Sequence, residues 1–177
     1  YYDSIEFNRF SESEEGISDR SKLRIRFYEK PTDLKIEQKI KNSDIGRKII
    51  NPISSFNKKN LINIKVINCE NKKINIVIPK NIDSEIPSLF ISYRREYFIN
   101  KKDDLRITID YKLRFGRIRN GSNLIKNPYN INCDFAVLEG KYKSCKEYMP
   151  ILDIISNKYN LELTRCSKYC HGINACY

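Results

Sequence analysis

No apolar stretch of about 18 residues occurs in the chain, so no transmembrane helix is encoded. One histidine, His171, stands among 177 residues. A lone imidazole is a thin basis for a general base, and it reads as structural or exposed. The six cysteines (Cys69, Cys133, Cys145, Cys166, Cys170 and Cys176) contain no C-x-x-C pair. Cys166, Cys170, His171 and Cys176 gather near the end, but their spacing fits no standard zinc site. A chain of this length does not need disulfide staples, so reduced thiols and a cytoplasmic location are the expectation. No internal repeat and no clear linker interrupts the sequence, which reads as one domain over residues 1–177. Residues 1–4 have neither a basic nor an apolar leader stretch and do not read as a signal peptide. With no initiator Met, the sequence can be a piece of a longer chain.

What is present is a core and an excess of cations. Hydrophobic residues make up 40%, too many for disorder to be the whole story. Lys and Arg number 33 against 22 Asp and Glu, a net charge of +11. Such an excess suits an anionic partner: nucleic acid, nucleotide, polyphosphate or a membrane surface. A merely soluble basic protein has the same composition.

Patterning narrows this. In residues 21–28, Leu23, Ile25 and Phe27 alternate with Lys22, Arg24, Arg26 and Tyr28, as on the two faces of a strand. In 34–41, Leu34, Ile36 and Ile40 oppose Lys35, Glu37, Lys39 and Lys41, with Gln38 interrupting the apolar set. Residues 87–100 place Tyr93, Arg95 and Tyr97 on one face. Residues 105–115 set Leu105, Ile107, Ile109, Tyr111, Leu113 and Phe115 against Arg106, Thr108, Asp110, Lys112 and Arg114. Residues 135–142 separate Val137, Glu139 and Lys141 from Ala136, Leu138 and Tyr142. Residues 60–79 alternate around Asn71-Lys72-Lys73 as a hairpin would. Residues 149–159 follow helical spacing, with Pro150 in the first turn.

On one strand, a basic face is ordinary solvent exposure. Five such strands weigh differently. If the apolar faces pack outward, the basic faces line an interior, and a closed barrel with a polar lumen is one arrangement that does this. Cations crowded there repel one another until an anion binds.

Several segments resemble one family in its own order. Ser18-Asp19-Arg20-Ser21-Lys22-Leu23-Arg24-Ile25-Arg26-Phe27-Tyr28 resembles the arginine strand of the VTC domain, the polyphosphate polymerase branch of the triphosphate tunnel metalloenzymes (CYTH-like superfamily). Ile36-Glu37-Gln38-Lys39-Ile40-Lys41 resembles its E-x-K-x-K strand, and Ile45-Gly46-Arg47-Lys48 the basic pair that follows. Ile91-Ser92-Tyr93-Arg94-Arg95-Glu96-Tyr97 and Leu105-Arg106-Ile107-Thr108-Ile109-Asp110 resemble the central Tyr/Arg and R-x-T-x-D strands. Val137-Leu138-Glu139-Gly140-Lys141-Tyr142 is similar to the late Glu/Lys strand, and Cys166-Ser167-Lys168-Tyr169-Cys170-His171-Gly172 to the closing S-K-Y element. The family places a strand of alternating acidic and basic residues, then a helix, before the segment that Tyr1-Tyr2-Asp3 resembles, and this sequence begins at that segment. Residues 49–85 match poorly.

The resemblance implies an α+β fold built on an antiparallel β-barrel with a basic lumen and flanking helices. It implies transfer of the terminal phosphoryl group of ATP to a polyphosphate chain, with Mn²⁺ or Mg²⁺. It implies phosphate contacts from Arg24, Arg26, Lys39, Arg95, Arg106 and Lys168, with Lys48, Tyr93, Lys141 and Ser167 completing the substrate site. Glu139, and less directly Glu37, would be the metal ligands, because hard cations take carboxylate oxygen. Asp110 would orient arginines rather than catalyse. Hydrolysis of triphosphate on the same scaffold and non-catalytic polyanion sensing are the alternatives. Nucleic acid ranks last, there being no recognition helix and no aromatic RNP-like stretch. The resemblance leaves room for a membrane-protein partner that this sequence does not encode.

Overall fold

The computed structural model describes residues 1–28, 31–43, 45–53, 57–100, 105–118, 130–142 and 145–177. It is a mixed α+β structure of antiparallel strands and three helices. The first sheet runs β4-β3-β2-β1-β7: β1 Tyr2–Asp3, β2 Arg20–Arg26, β3 Lys35–Asn42, β4 Ile45–Pro52 and β7 Ile86–Pro87. The second is centred on β9, Leu105–Arg117. β8, Leu89–Ile99, lies on one edge of β9; β11, Val137–Tyr142, and β10, Asn130–Asn132, share the other. The two sheets meet at Tyr1, whose carbonyl accepts from Ser88 N and Leu89 N. Among the described residues no ladder joins β4 to β10 or β11, so the described strands form an open wall and not the closed barrel expected.

The apolar face of the first sheet is covered. Leu23 and Ile36 are covered by the hairpin of β5, Leu61–Ile67, and β6, Lys73–Pro79, through Ile64, Val66, Ile76 and Ile78. Ile62, Ile64 and Val66 on one strand and Ile74, Ile76 and Ile78 on the other share the packed face and fix this register, because a one-residue slip would turn them to water. The hairpin turn docks on the second sheet, where Cys69 N donates to Ser92 Oγ and Arg114 reaches Asn68 O and Asn71 Oδ1.

β9 departs from the simple alternation read above. Lys112 has φ 51°, and the β8 register shifts between Ser92 and Arg94 while β9 advances one residue further. This is a β-bulge, and it changes which face the following residues occupy. Thr108 and Asp110 before it, and Leu113 and Phe115 after it, are therefore buried on one side. That face is polar at one end and apolar at the other.

Helix α3, Lys168–Cys176, covers the apolar end, burying Tyr169, Cys170, Ile173 and Cys176 against Leu89, Leu113 and Phe115. A Cβ on Gly172 would collide with Leu89 Cδ2 and lie 3.0 Å from Phe115 Cδ1. Gly172→Ala is therefore expected to cost about 1–3 kcal/mol by overpacking, read as a lower denaturant midpoint. An unchanged midpoint would place α3 elsewhere. Helix α1, Asn8–Glu14, has no side-chain cap of its own; Asp3 takes that part, accepting from Arg9 N and Phe10 N. Helix α2, Cys145–Tyr159, starts earlier than the sequence spacing suggested, so Pro150 lies inside it rather than in its first turn. Among the described residues no helix is long and apolar enough to cross a membrane.

Candidate functional site

Two buried carboxylates organise the cations. The first is Glu37, 1% exposed, in the middle of β3. Its register partner is Arg24 on β2, so strand pairing alone sets the two side by side. Arg24 Nε and Nη2 reach Glu37 Oε2 at 2.8 and 2.6 Å. Arg26 Nη2 and Lys48 Nζ reach Oε1 at 2.7 and 2.6 Å. Burial by itself pushes the Glu37 carboxyl up; hydrogen bonds from Lys48 and Arg24 and the charges of Arg24 and Arg26 outweigh it and hold it below the usual carboxylate range.

The second is Asp110 on β9, fully buried and register-paired with Arg95 on β8. Arg95 grips it with both forks, Nε to Oδ1 at 2.5 Å and Nη2 to Oδ2 at 2.6 Å. Lys168, the first residue of α3, adds Nζ to Oδ2 at 2.6 Å. Burial again pushes upward, and the hydrogen bonds from Arg95 and Lys168 prevail to lower the pKa. Tyr93, at the bulge, has Arg95 and Lys168 each 5.4 Å from its ring centre.

Arg24 and Arg26 of the first group and Tyr93, Arg95 and Lys168 of the second line one cavity of 750 Å³, whose other walls are largely apolar, Phe27, Ile76 and Phe90 among them. Beside Glu37 runs a row of three lysines in register across the first sheet, Lys22, Lys39 and Lys48. Like charges placed directly opposite repel. Lys48 escapes to Glu37, and Lys22 donates to Ser167 Oγ at 2.9 Å. Lys39 has no ion-pair partner among the described residues. Its pKa is lowered by desolvation and then by Arg24 and Lys141, with Glu139 and Glu37 opposing. That interaction places the second sheet's Glu139 and Lys141 within electrostatic reach of β3.

Glu139 and Lys141 lie in register with Thr108 and Arg106, on the Asp110 side of β9. Lys141 Nζ sits 3.2 Å from Glu139 Oε1, and both remain open to water. Arg106 is exposed and makes no ion pair among the described residues. Ser167 caps α3, its Oγ accepting from Cys170 N at 3.3 Å. The structure thus brings together Arg24, Arg26, Lys48 and Glu37, and separately Arg95, Lys168, Tyr93 and Asp110; of these, Arg24, Arg26, Tyr93, Arg95 and Lys168 line one cavity. Lys39, Arg106, Lys141 and Glu139 stand along the same faces without a tight contact to either group.

A divalent cation fits these carboxylates unequally. Both Glu37 oxygens are engaged by three cations, Arg24, Arg26 and Lys48, with which a metal there would compete. Glu139 offers one free oxygen. Among the described residues no three His, Cys, Asp or Glu side chains converge on a metal position. Cys69, Cys133, Cys166, Cys170 and Cys176 are free thiols; the Cys145 side chain lies outside the described residues.

Three participants escaped the sequence reading. Tyr1 Oη accepts from Arg24 Nη1 at 3.0 Å, and its ring stacks on Tyr169 at 5.0 Å. Asp3, fully buried, accepts from the Tyr169 hydroxyl. Lys22 was seen on the cationic face but given no role. The only sequence signal for Tyr1 and Asp3 was their place in a motif, since a two-residue strand has no periodicity to read.

Both hub carboxylates have folded pKa values below their unfolded ones. Their stabilisation is complete above the unfolded carboxylate range, about pH 4–4.5, and is lost as pH falls through the folded values. Unfolding free energy is expected to fall on acidification by about 1.4 kcal/mol per pH unit for each group inside that window. Denaturant titrations between pH 7 and 3 check this. An Asp110→Asn variant with the same acid slope as the parent would contradict it.

A family model described as the VTC domain matches residues 1–177. No curated protein and no solved structure matches the chain.

Proposed function

This chain belongs to the VTC domain family, and we propose on that basis that its cationic cavity binds a linear oligophosphate and serves polyphosphate synthesis from ATP. Family membership is consistent with polyphosphate-related chemistry in general. The observation that carries the finer reading is the convergence of Arg24 and Arg26 with Arg95 and Lys168 on one cavity.

Phosphoryl transfer asks little covalent chemistry of a protein; it asks for positioning and for charge opposite the equatorial oxygens. Arginine's planar fork meets phosphate oxygens in pairs, and lysine supplies a compact point charge. Glu37 and Asp110 fix the guanidinium planes before any ligand arrives, so the reorganisation cost falls on folding and not on binding. Arg24 and Arg26 take one part of the chain, Arg95 and Lys168 the next. Lys39, the crowded member of the lysine row, gains most from an anion beside it. Arg106, Lys48 and Lys141 extend the cationic track, and Tyr93 and Ser167 donate hydroxyls. The open wall is read as part of a tunnel around that track. A Mn²⁺ or Mg²⁺ ion arriving with the phosphate would neutralise charge, with Glu139 as its protein ligand.

A second reading, non-catalytic sensing, is favoured by one feature: Glu37 is engaged by three cations, which leaves Glu139 as the carboxylate with an oxygen to offer a metal. Triphosphate hydrolysis is separated by its product. Incubating the full-length protein with ATP and Mn²⁺ and resolving the phosphorus species tests all three. Polymer growth is the expected outcome. Orthophosphate alone supports hydrolysis. Tripolyphosphate binding without turnover replaces catalysis with sensing, and no binding removes the proposal.

A further inference from the structure

Arg24 spends three of its N–H groups inside the protein: Nε and Nη2 on Glu37, Nη1 on Tyr1 Oη. A guanidinium has five. Two are left over, one on each terminal nitrogen, and are open to an anion as charge-assisted donors. Their direction is set by two anchors, and Tyr1 is the second of them.

Tyr1 is itself held firmly. Its ring stacks on Tyr169 at 22° between planes, and the Tyr169 hydroxyl is tied to Asp3, which also caps α1. A phenol oxygen that accepts from Arg24 still has its own hydrogen to place. Among the described residues nothing accepts it, and Tyr1 lines the cavity shared with Arg24, Tyr93, Arg95 and Lys168.

The geometry points to Tyr1 as an anion-binding residue with two parts: its hydroxyl donates to the bound oligophosphate, and by accepting from Arg24 Nη1 it positions that guanidinium's free donors. This rests on the oligophosphate reading for its ligand, though not for the Tyr1–Arg24 link.

Tyr1→Phe removes the hydroxyl and keeps the stacked ring. Tripolyphosphate affinity is expected to fall about tenfold, as for one charge-assisted hydrogen bond. The thermal midpoint should stay in place. The salt dependence should match the parent's, because no charge is removed. In an Arg24→Ala background the same change should cost clearly less. A wild-type affinity in Tyr1→Phe overturns the inference; an equal loss in both backgrounds overturns its positioning half. Arginine side-chain ¹⁵N spectra of the ligand-free protein read the link independently. The Arg24 Nη and Nε signals should be sharp in the parent and broadened in Tyr1→Phe. If they are unchanged, the inference fails even where tripolyphosphate binds; if the parent binds no tripolyphosphate, the oligophosphate reading fails and these signals alone decide the link.

Discussion

Glu37→Gln is expected to destabilise the protein by about 3 kcal/mol, and tripolyphosphate is expected to restore part of the loss. Glutamine keeps the shape of the side chain and removes the charge that Arg24, Arg26 and Lys48 share. Breaking a buried ion pair from one side costs about 3–5 kcal/mol. The low end applies because the three cations keep 15%, 26% and 35% exposure and can turn toward water. An oligophosphate supplies the missing negative charge, so the ligand-induced rise in thermal midpoint should be larger in the variant than in the parent. A loss below about 1 kcal/mol, or an equal ligand effect in both proteins, would mean that Glu37 is not the organising charge.

Arg24→Ala is expected to weaken tripolyphosphate binding by about 1–3 kcal/mol, roughly 5- to 150-fold. Arg47→Ala should leave it unchanged. The two arginines sit on strands of one sheet and differ in face: Arg24 pairs with Glu37 in register, whereas Arg47 pairs with Ile40, on the opposite side. If net charge alone attracted the anion, both changes would weaken binding alike, each through one lost positive charge. Isothermal titration of both variants at one ionic strength decides between a built site and a diffuse field.

Much of this was legible in the sequence, for a physical reason. β2 alternates strictly and β3 does so except at Gln38, so the face carrying Arg24, Arg26, Glu37 and Lys39 follows from period two. The β5–β6 hairpin was readable for the same reason. β9 was misread in its second half because the bulge at Lys112 adds a residue that no alternation pattern announces. Asp110 is legible as an arginine partner from its place on the cationic face, and Arg95 on β8 is its register partner. The ion pairs of Glu37 are not legible locally, because the sequence shows one carboxylate among lysines, whereas the three cations that claim it come from the two strands flanking its own. Asp3 lies on a strand too short for any pattern and Tyr1 precedes that strand, and their partners Tyr169 and Arg24 are 166 and 23 residues away. Whether the wall closes depends on long-range pairing at strand edges, which face alternation does not encode.

The most direct measurement follows every arginine Nε–H signal of ¹⁵N-labelled protein while tripolyphosphate is added. Cationic faces that converge on one site predict that Arg24, Arg26 and Arg95 shift together along a single saturating curve, with Arg47 still. Separate affinities for the β2 and β8 arginines, or small uniform shifts of all arginines that vanish in moderate salt, would contradict it.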